Sequence, residues 1–391
     1  MNKIFKTANR TPQTENRKMK KLTFIILCLE GAILSFNVAA CAALVPSIAR
    51  DFGISQFVAG KVIWLYMLPY GVAALFYGPL VRMVDAKRVE LICLLVFSLA
   101  NLLAWVSPDI KSLFLARFIM GVFGASVIPL GLILIANSAQ NQKRGKLVGS
   151  FFGSTFIASL LGLFLSGILH WRMVFFIPAI LGFVLWLMMY FYLPNFKSQR
   201  TETKFNYMAA LKDKRIISIF AYIFFISLLY HSIQQWLGVY FSTKFALGQF
   251  LISALITLTS LSGIFGEVIG GWLSDAVGRI KTVNLGTVLM IISVLLFSFK
   301  SPIAILAILM VIWGLGWTFN HAGISTVLTD LPKDFLPEAA SLNSSVRFIS
   351  GGLGTALSGS IMQKSFTAGF VLAGLCLLGL FLFARQLIIK I

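Results

Sequence analysis

Apolar runs of about 18 residues or more recur along this chain, and a run of that length can cross ~30 Å of hydrocarbon as a helix. Twelve such spans are expected, over residues 22–46, 56–80, 89–107, 112–138, 146–169, 173–193, 216–241, 249–273, 283–299, 302–328, 339–362 and 367–388. Hydrophobic side chains make up 58% of the 391 residues and charged ones only 12%. So few charges cannot coat a soluble domain of this size, so the bilayer is the solvent. The longest link, 194–215, is polar and follows the sixth span. The expected fold is therefore an all-α integral membrane protein of twelve transmembrane helices in two six-helix bundles. It divides into a basic tail (1–21), a first bundle (22–193), the central link (194–215) and a second bundle (216–391).

The net charge of +20 raises nucleic acid as a partner, but its placement points to a membrane instead. With the N-terminus inside, the inner tails and loops hold 24 of the 33 Lys and Arg and the outer loops seven; Arg117 and Arg347 fall within spans. That asymmetry follows the positive-inside rule and places both termini in the cytoplasm. Basic stretches such as 17–21 and 212–215 suit anionic headgroups. The first apolar run follows a polar, basic stretch without a small-residue cleavage site, so it reads as a retained span. Cys28, Cys41, Cys93 and Cys376 lie in or beside spans with no CxxC spacing, as packing residues do.

A polar hinge breaks the apolar pattern twice. Residues 271–281 read Gly-Trp-Leu-Ser-Asp-Ala-Val-Gly-Arg-Ile-Lys, and residues 78–88 read Gly-Pro-Leu-Val-Arg-Met-Val-Asp-Ala-Lys-Arg. Recurrence at nearly half the chain length implies a duplicated protein whose halves move against each other. The copies differ where Arg82 stands in the place of Asp275.

The second copy, through Gly271, Leu273, Asp275, Gly278 and Arg279, resembles the loop signature of the major facilitator superfamily, G-x-L-x-D-x-x-G-R. In the first copy Gly78, Leu80 and Arg88 persist, while Asp85 replaces the second glycine. Arg117, Gly121, Gly124 and Ala125 resemble that family's fourth-helix motif, and Trp171-Arg172 with Phe175 its link between the fifth and sixth helices. The resemblance covers essentially the whole chain. It implies alternating access around a central cavity lined by helices one, four, seven and ten, and commonly a monomer. The signature's glycines are expected to let helices approach, and its Asp to meet the positive N-terminus of a helix in the opposite half. That assigns gating to Gly78, Arg82, Asp85, Gly271, Asp275, Gly278 and Arg279. Arg82 would weaken the first latch, leaving Asp85 to substitute for the acid or neutralise Arg82. The bland alternative is that Asp275 and Arg279 only shape a solvated turn. The drug–proton antiporter branch usually carries a Gly-Pro pattern in its fifth helix; Gly162 to Gly167 lack that proline. Gly149, Gly153, Gly162 and Gly167 are still expected to allow close packing.

Charges at membrane depth are costly and need a reason. Glu30, about 12 Å into the first span at ~1.5 Å per residue, is the first choice for proton coupling, with a structural acid as the alternative. Arg117 is read as a counter-ion for Glu30, an anchor for an anionic substrate, or a side chain snorkelling to the interface. His231 and His321 join the proton-coupling set, although each can equally be a packing histidine. Asn37, Tyr230, Gln234, Gln235, Trp236, Trp313, Trp317 and Asn320 are assigned to the substrate cavity, where aromatic and amide groups would hold a bulky amphipathic ligand. The tryptophan stripe also fits plain helix packing. Glu267 and Arg347 are candidates for a cross-helix pair.

No phosphate loop, HExxH or GxSxG occurs, so neither an ATP-driven engine nor a hydrolase is indicated, and no cofactor or metal is implied. The expected function is secondary transport of a small amphipathic molecule across a plasma membrane, a bacterial inner membrane by preference, as proton-coupled efflux. Proton-linked uptake of a nutrient or organic anion is the alternative. A transporter-like receptor that binds without moving its ligand is the rival from another class.

Overall fold

In a computed structural model of the chain, residues 21–138, 141–193, 207, 212–329 and 336–388 are described. Every regular element among them is helical. Eleven helices have the length and apolarity to cross a membrane. These are α1 (Lys21–Asp51), α2 (Gln56–Val81), α3 (Ala86–Val106), α4 (Ile110–Ile135), α5 (Lys146–Ser166) and α6 (Trp171–Tyr192), then α7 (Lys214–Phe245), α8 (Gln249–Ala276), α9 (Arg279–Leu296), α10 (Ile303–Leu328) and α12 (Phe366–Ile388). The twelfth, α11 (Leu336–Met362), is 27 residues long. It is more polar because Ser341, Asn343, Ser344, Ser345, Arg347 and Ser350 fall along it. The twelve expected spans are all present, with ends displaced by a few residues.

Local chemistry sets many of the helix starts. Asp85 accepts from Lys87 N at 2.8 Å and caps α3. Asp109 and Ser112 form a reciprocal capping box at α4. The Ser112 backbone N–H holds the Asp109 carboxyl below its ordinary range. Asp213 caps α7 through Arg215 N at 2.8 Å. Between α8 and α9 the chain turns at Gly278, whose φ of 97° is one that side-chain-bearing residues rarely adopt.

Helices α1 to α6 pack mainly on one another, as do α7 to α12. Their outward faces carry exposed Phe76, Phe191, Phe265, Val268 and Leu382. In water this would be an aggregating surface; in a bilayer it is the lipid contact.

The halves touch along two regions. The first is a seam between α2 and α11, where Ser345 Oγ donates to Gly71 O at 2.6 Å and Tyr70 stacks on Phe348 at 3.8 Å. Gly71 permits this approach, since a Cβ there would sit 2.7 Å from Ile349 N. Nearer the hinges, Tyr207 of the central link donates to Leu75 O at 3.1 Å and contacts Ser341 Oγ at 3.1 Å, touching both helices of the seam.

The second region is the end of the molecule away from the hinges, the far end. Gln249 Nε2 donates to Ala43 O (2.8 Å), Ser166 O (3.2 Å) and Ser253 Oγ (3.2 Å), while its Oε1 accepts from Ser47 Oγ at 2.6 Å. Trp236 packs between Phe57 and Gly359, against Gly60. Gly149, Gly153 and Gly271 have nothing within 4 Å of a built Cβ, and Asp275 is exposed. Among the described residues, the polar contacts between the halves lie along the α2–α11 seam and at the far end.

Candidate functional site

Two acids meet inside the first half. Glu30 on α1 and Glu90 on α3 are 1% and 0% exposed, and their carboxyls lie side by side. Neither oxygen of Glu30, nor Oε1 of Glu90, has a protein donor; Glu90 Oε2 receives only Ser126 Oγ at 3.4 Å. Two carboxylates out of water cannot both hold charge at such range. A shared proton removes the repulsion and supplies the missing donor. Sequence reasoning found Glu30 and missed Glu90. The available signal was that Glu90 is one of only three acids within the expected apolar runs, although it stands at the very start of its run.

Arg117 is not the counter-ion of Glu30. Its guanidinium is 1% exposed and donates to Val62 O at 3.0 Å and Asn37 Oδ1 at 2.6 Å, with Cζ 4.4 Å from the Tyr66 ring centre. Asn37 passes the chain to Asn101 Oδ1 at 2.8 Å, and Asn101 to Phe97 O at 2.9 Å. The correction has a simple cause. Asn37 and Glu30 are two turns apart, about 10 Å along α1 at ~1.5 Å per residue, and Arg117 is level with Asn37. Full burial also removes the snorkelling reading. Asn37 is itself fully buried, in this polar chain and not on a cavity wall.

In the second half, Tyr230 stacks on Trp317 at 3.9 Å and 14°, and on Trp313 at 5.4 Å and 14°. Trp313 Nε1 donates to Gln234 Oε1 at 2.8 Å, which locks the stack to α7. His231 sits edge-on to Trp317 at 5.9 Å, its Nδ1 2.8 Å from Ser227 O. Arg347 lies over Trp317 at 5.7 Å. The expected Glu267–Arg347 pair is replaced by Glu267 with His321, whose Nδ1 is 2.7 Å from Glu267 Oε1, at an angle outside hydrogen bonding. These side chains are 28% and 32% exposed. Groups of this kind at mid-helix face water and not lipid, so α7, α8, α10 and α11 enclose a wet recess.

Other expected cavity residues go elsewhere. Asn320 is buried in the bundle, donating to Tyr222 Oη at 2.7 Å and Thr287 Oγ1 at 3.0 Å. Trp236 belongs to the far-end closure, and its Nε1 donates to Thr355 O at 3.0 Å. Gln235 ends the first segment of α7, half-buried. His231 meets Ser227 and Trp317, His321 meets Glu267, and Arg117 meets Val62 and Asn37, so none of the three contacts Glu30 and the four residues assigned to proton coupling do not form one site.

At the hinges, Asp275 has no hydrogen bond or ion pair among the described residues. Asp85 is committed to its cap, and the Arg82 side chain lies outside what is described. Gly78 is buried near the end of α2. Gly271 and Gly278 have open space around them, so helix approach is not what they serve; Gly278 serves backbone conformation. Arg279 opens α9. Of the four glycines along and just past α5, Gly162, against Phe36 O, and Gly167, near Ser253, mark close approaches.

Two six-helix halves, hinged at equivalent positions and enclosing a wet polar recess, define a membrane transporter fold. The chain belongs to the Major Facilitator Superfamily, whose model matches residues 27–355. It is 24% identical over 353 residues to an uncharacterized MFS-type transporter, YbcL of Bacillus subtilis, covering 88% of this chain and 90% of that one. It is 23% identical over 416 residues to the riboflavin transporter RibZ of Clostridioides difficile, covering 90% of each. Among solved structures, a bacterial homolog of the human lysosomal transporter Spinster superposes with a TM-score of 0.75 at 12% identity, covering 96% of this chain and 98% of that one.

Proposed function

We propose that this protein is a proton-coupled secondary transporter that exports a small amphipathic molecule by alternating access. The observation that carries the reading is the Glu30–Glu90 pair, a site built to hold one proton and separated from the aromatic recess that would hold cargo. Separate sites allow proton and cargo to bind in alternation. The protein acts in a plasma membrane, a bacterial inner one, with both termini on the cytoplasmic side as the charge asymmetry asks. In that orientation the recess opens to the cytoplasm, where cargo to be expelled is met. It works as a monomer and without a cofactor.

Gating is part of the same reading. Asp275, which makes no hydrogen bond or ion pair among the described residues, engages the opposite half when the cytoplasmic side shuts. The first-half hinge contributes less, because its acid is occupied as a helix cap.

The test uses proteoliposomes with an imposed pH gradient and an entrapped pH dye, with riboflavin as first cargo and amphipathic dyes after it. Cargo-dependent proton movement is expected, and it is lost in Glu30→Gln. Unchanged proton-driven flux and pH profile in that variant would reject the proton site. Flux accelerated by a gradient of the opposite sense would replace export with uptake. Absence of cargo counterflow would favour a receptor.

A further inference from the structure

The recess in the second half carries a cation that its own surroundings leave unpaired. Arg347 Nε donates to Asn343 Oδ1 at 2.9 Å, one turn back on α11, which fixes the direction of the guanidinium. Its Nη2 is screened from solvent and has no partner. No ion pair to Arg347 forms among the described residues, and the acid facing it, Glu267, is already against His321 on α10. A guanidinium has five donors and no way to shed its charge, and leaving such donors unmet inside a protein is unfavourable. A structural arginine would be expected to meet carbonyls or a carboxylate, as Arg117 meets Val62 O and Asn37. Arg347 is only half-buried, so the rest of its fork faces the recess.

Beside it stands a flat platform. Trp317 is held by Tyr230 on one side, and the pair is braced by Trp313 and Gln234. Rings fixed in near-parallel stacks accept a further planar group by offset stacking. The guanidinium lies 5.7 Å from the Trp317 ring centre, so a planar group on the indole places its own substituent within reach of Arg347. A carboxylate there would be met by the two-pronged geometry arginine favours.

We propose that the recess between α7, α8, α10 and α11 binds planar aromatic molecules bearing a carboxylate or similar anion, with Arg347 as the anchor and Trp317 as the platform. This rests on the reading of the recess as the cargo site and narrows its cargo to organic anions. Glu267 sets the opposite preference at the recess edge, disfavouring anions that approach from the His321 side.

Purified full-length protein in nanodiscs, titrated without any gradient, tests the proposal. The probes are 2-naphthoate, the neutral 2-naphthamide and the cationic 2-naphthylmethylamine, followed by tryptophan fluorescence and calorimetry. Naphthoate should bind tighter than the amide by about tenfold, the scale of a charge-assisted hydrogen bond. Arg347→Gln should remove that difference, whereas Trp317→Leu should weaken both ligands alike. Should Arg347→Gln not fold, Glu267→Gln serves as the second variant, and it should tighten naphthoate several-fold. A preference for the amine, an unchanged naphthoate-to-amide ratio in Arg347→Gln, or no tightening in Glu267→Gln would overturn the proposal. Loss of pH-driven flux with the naphthoate preference intact would reject proton coupling alone.

Discussion

Glu30 and Glu90 hold their carboxyls side by side between α1 and α3, both shut off from solvent and both short of donors. The two carboxyls therefore bind protons as one unit. Either glutamine substitution should stop the pair from sharing a proton.

Glu90→Gln is therefore expected to lower proton-driven flux by about tenfold or more, as for Glu30→Gln, while the melting temperature stays level or rises. A level or raised value follows because the glutamine amide gives the remaining carboxyl a permanent N–H donor in place of the shared proton. Flux assays and thermal unfolding of the two variants check this. A normal flux with a collapsed melting temperature would mark the pair as structural.

Gln249 joins α8 to α1 and α5 through three hydrogen bonds at the far end. Gln249→Ala should cost that closed arrangement roughly 2 kcal/mol, a shift of about 30-fold toward opening. A cysteine placed at Ala43, fully buried in the wild type, should then react faster with an impermeant maleimide. Equal labelling rates would remove Gln249 from the closure.

The two hinge acids should behave oppositely. Asp275→Asn is expected to impair transport without altering stability, since the exposed side chain makes no hydrogen bond or ion pair among the described residues. Asp85→Ala should cost about 1 kcal/mol through loss of the α3 cap, whereas Asp85→Asn, an equally good cap, should be nearly silent. A larger transport loss from Asp85→Asn than from Asp275→Asn would reverse the proposed inequality of the gates.

The glycines of the second hinge should also separate. Gly278→Ala forces a side chain into a backbone conformation at φ 97° and should destabilise by at least about 1 kcal/mol. Gly271→Ala meets nothing within 4 Å and should be neutral or slightly stabilising within the helix. Melting temperatures of the two variants decide the matter.

The twelve spans were legible because span length and apolarity are local properties of the chain. Even α11 could be read, despite its serines, from its place in the count. Glu30 stood out for the same local reason. Its partner did not, because Glu90 reaches it across the bundle from α3, a helix that does not pack closely on α1, and no periodicity within one helix reports such a neighbour. Arg117 and Asn320 were misplaced for a related reason. Knowing which helix lines a cavity does not say which of its faces does so. Trp313 and Trp317 lie one turn apart and both join the Tyr230 stack, whereas Asn320 turns inward to Tyr222.

The seam between α2 and α11 has a consequence of its own. Gly71 leaves no room beside Ile349 N, and Tyr70 and Phe348 lie ring on ring immediately beside it. Two surfaces this tightly mated can roll but cannot separate and rejoin cheaply. The line through them is therefore the natural axle of the rocking motion. Wedging it with a single bulky side chain would arrest the cycle from within the wall, leaving both the proton pair and the cargo recess untouched.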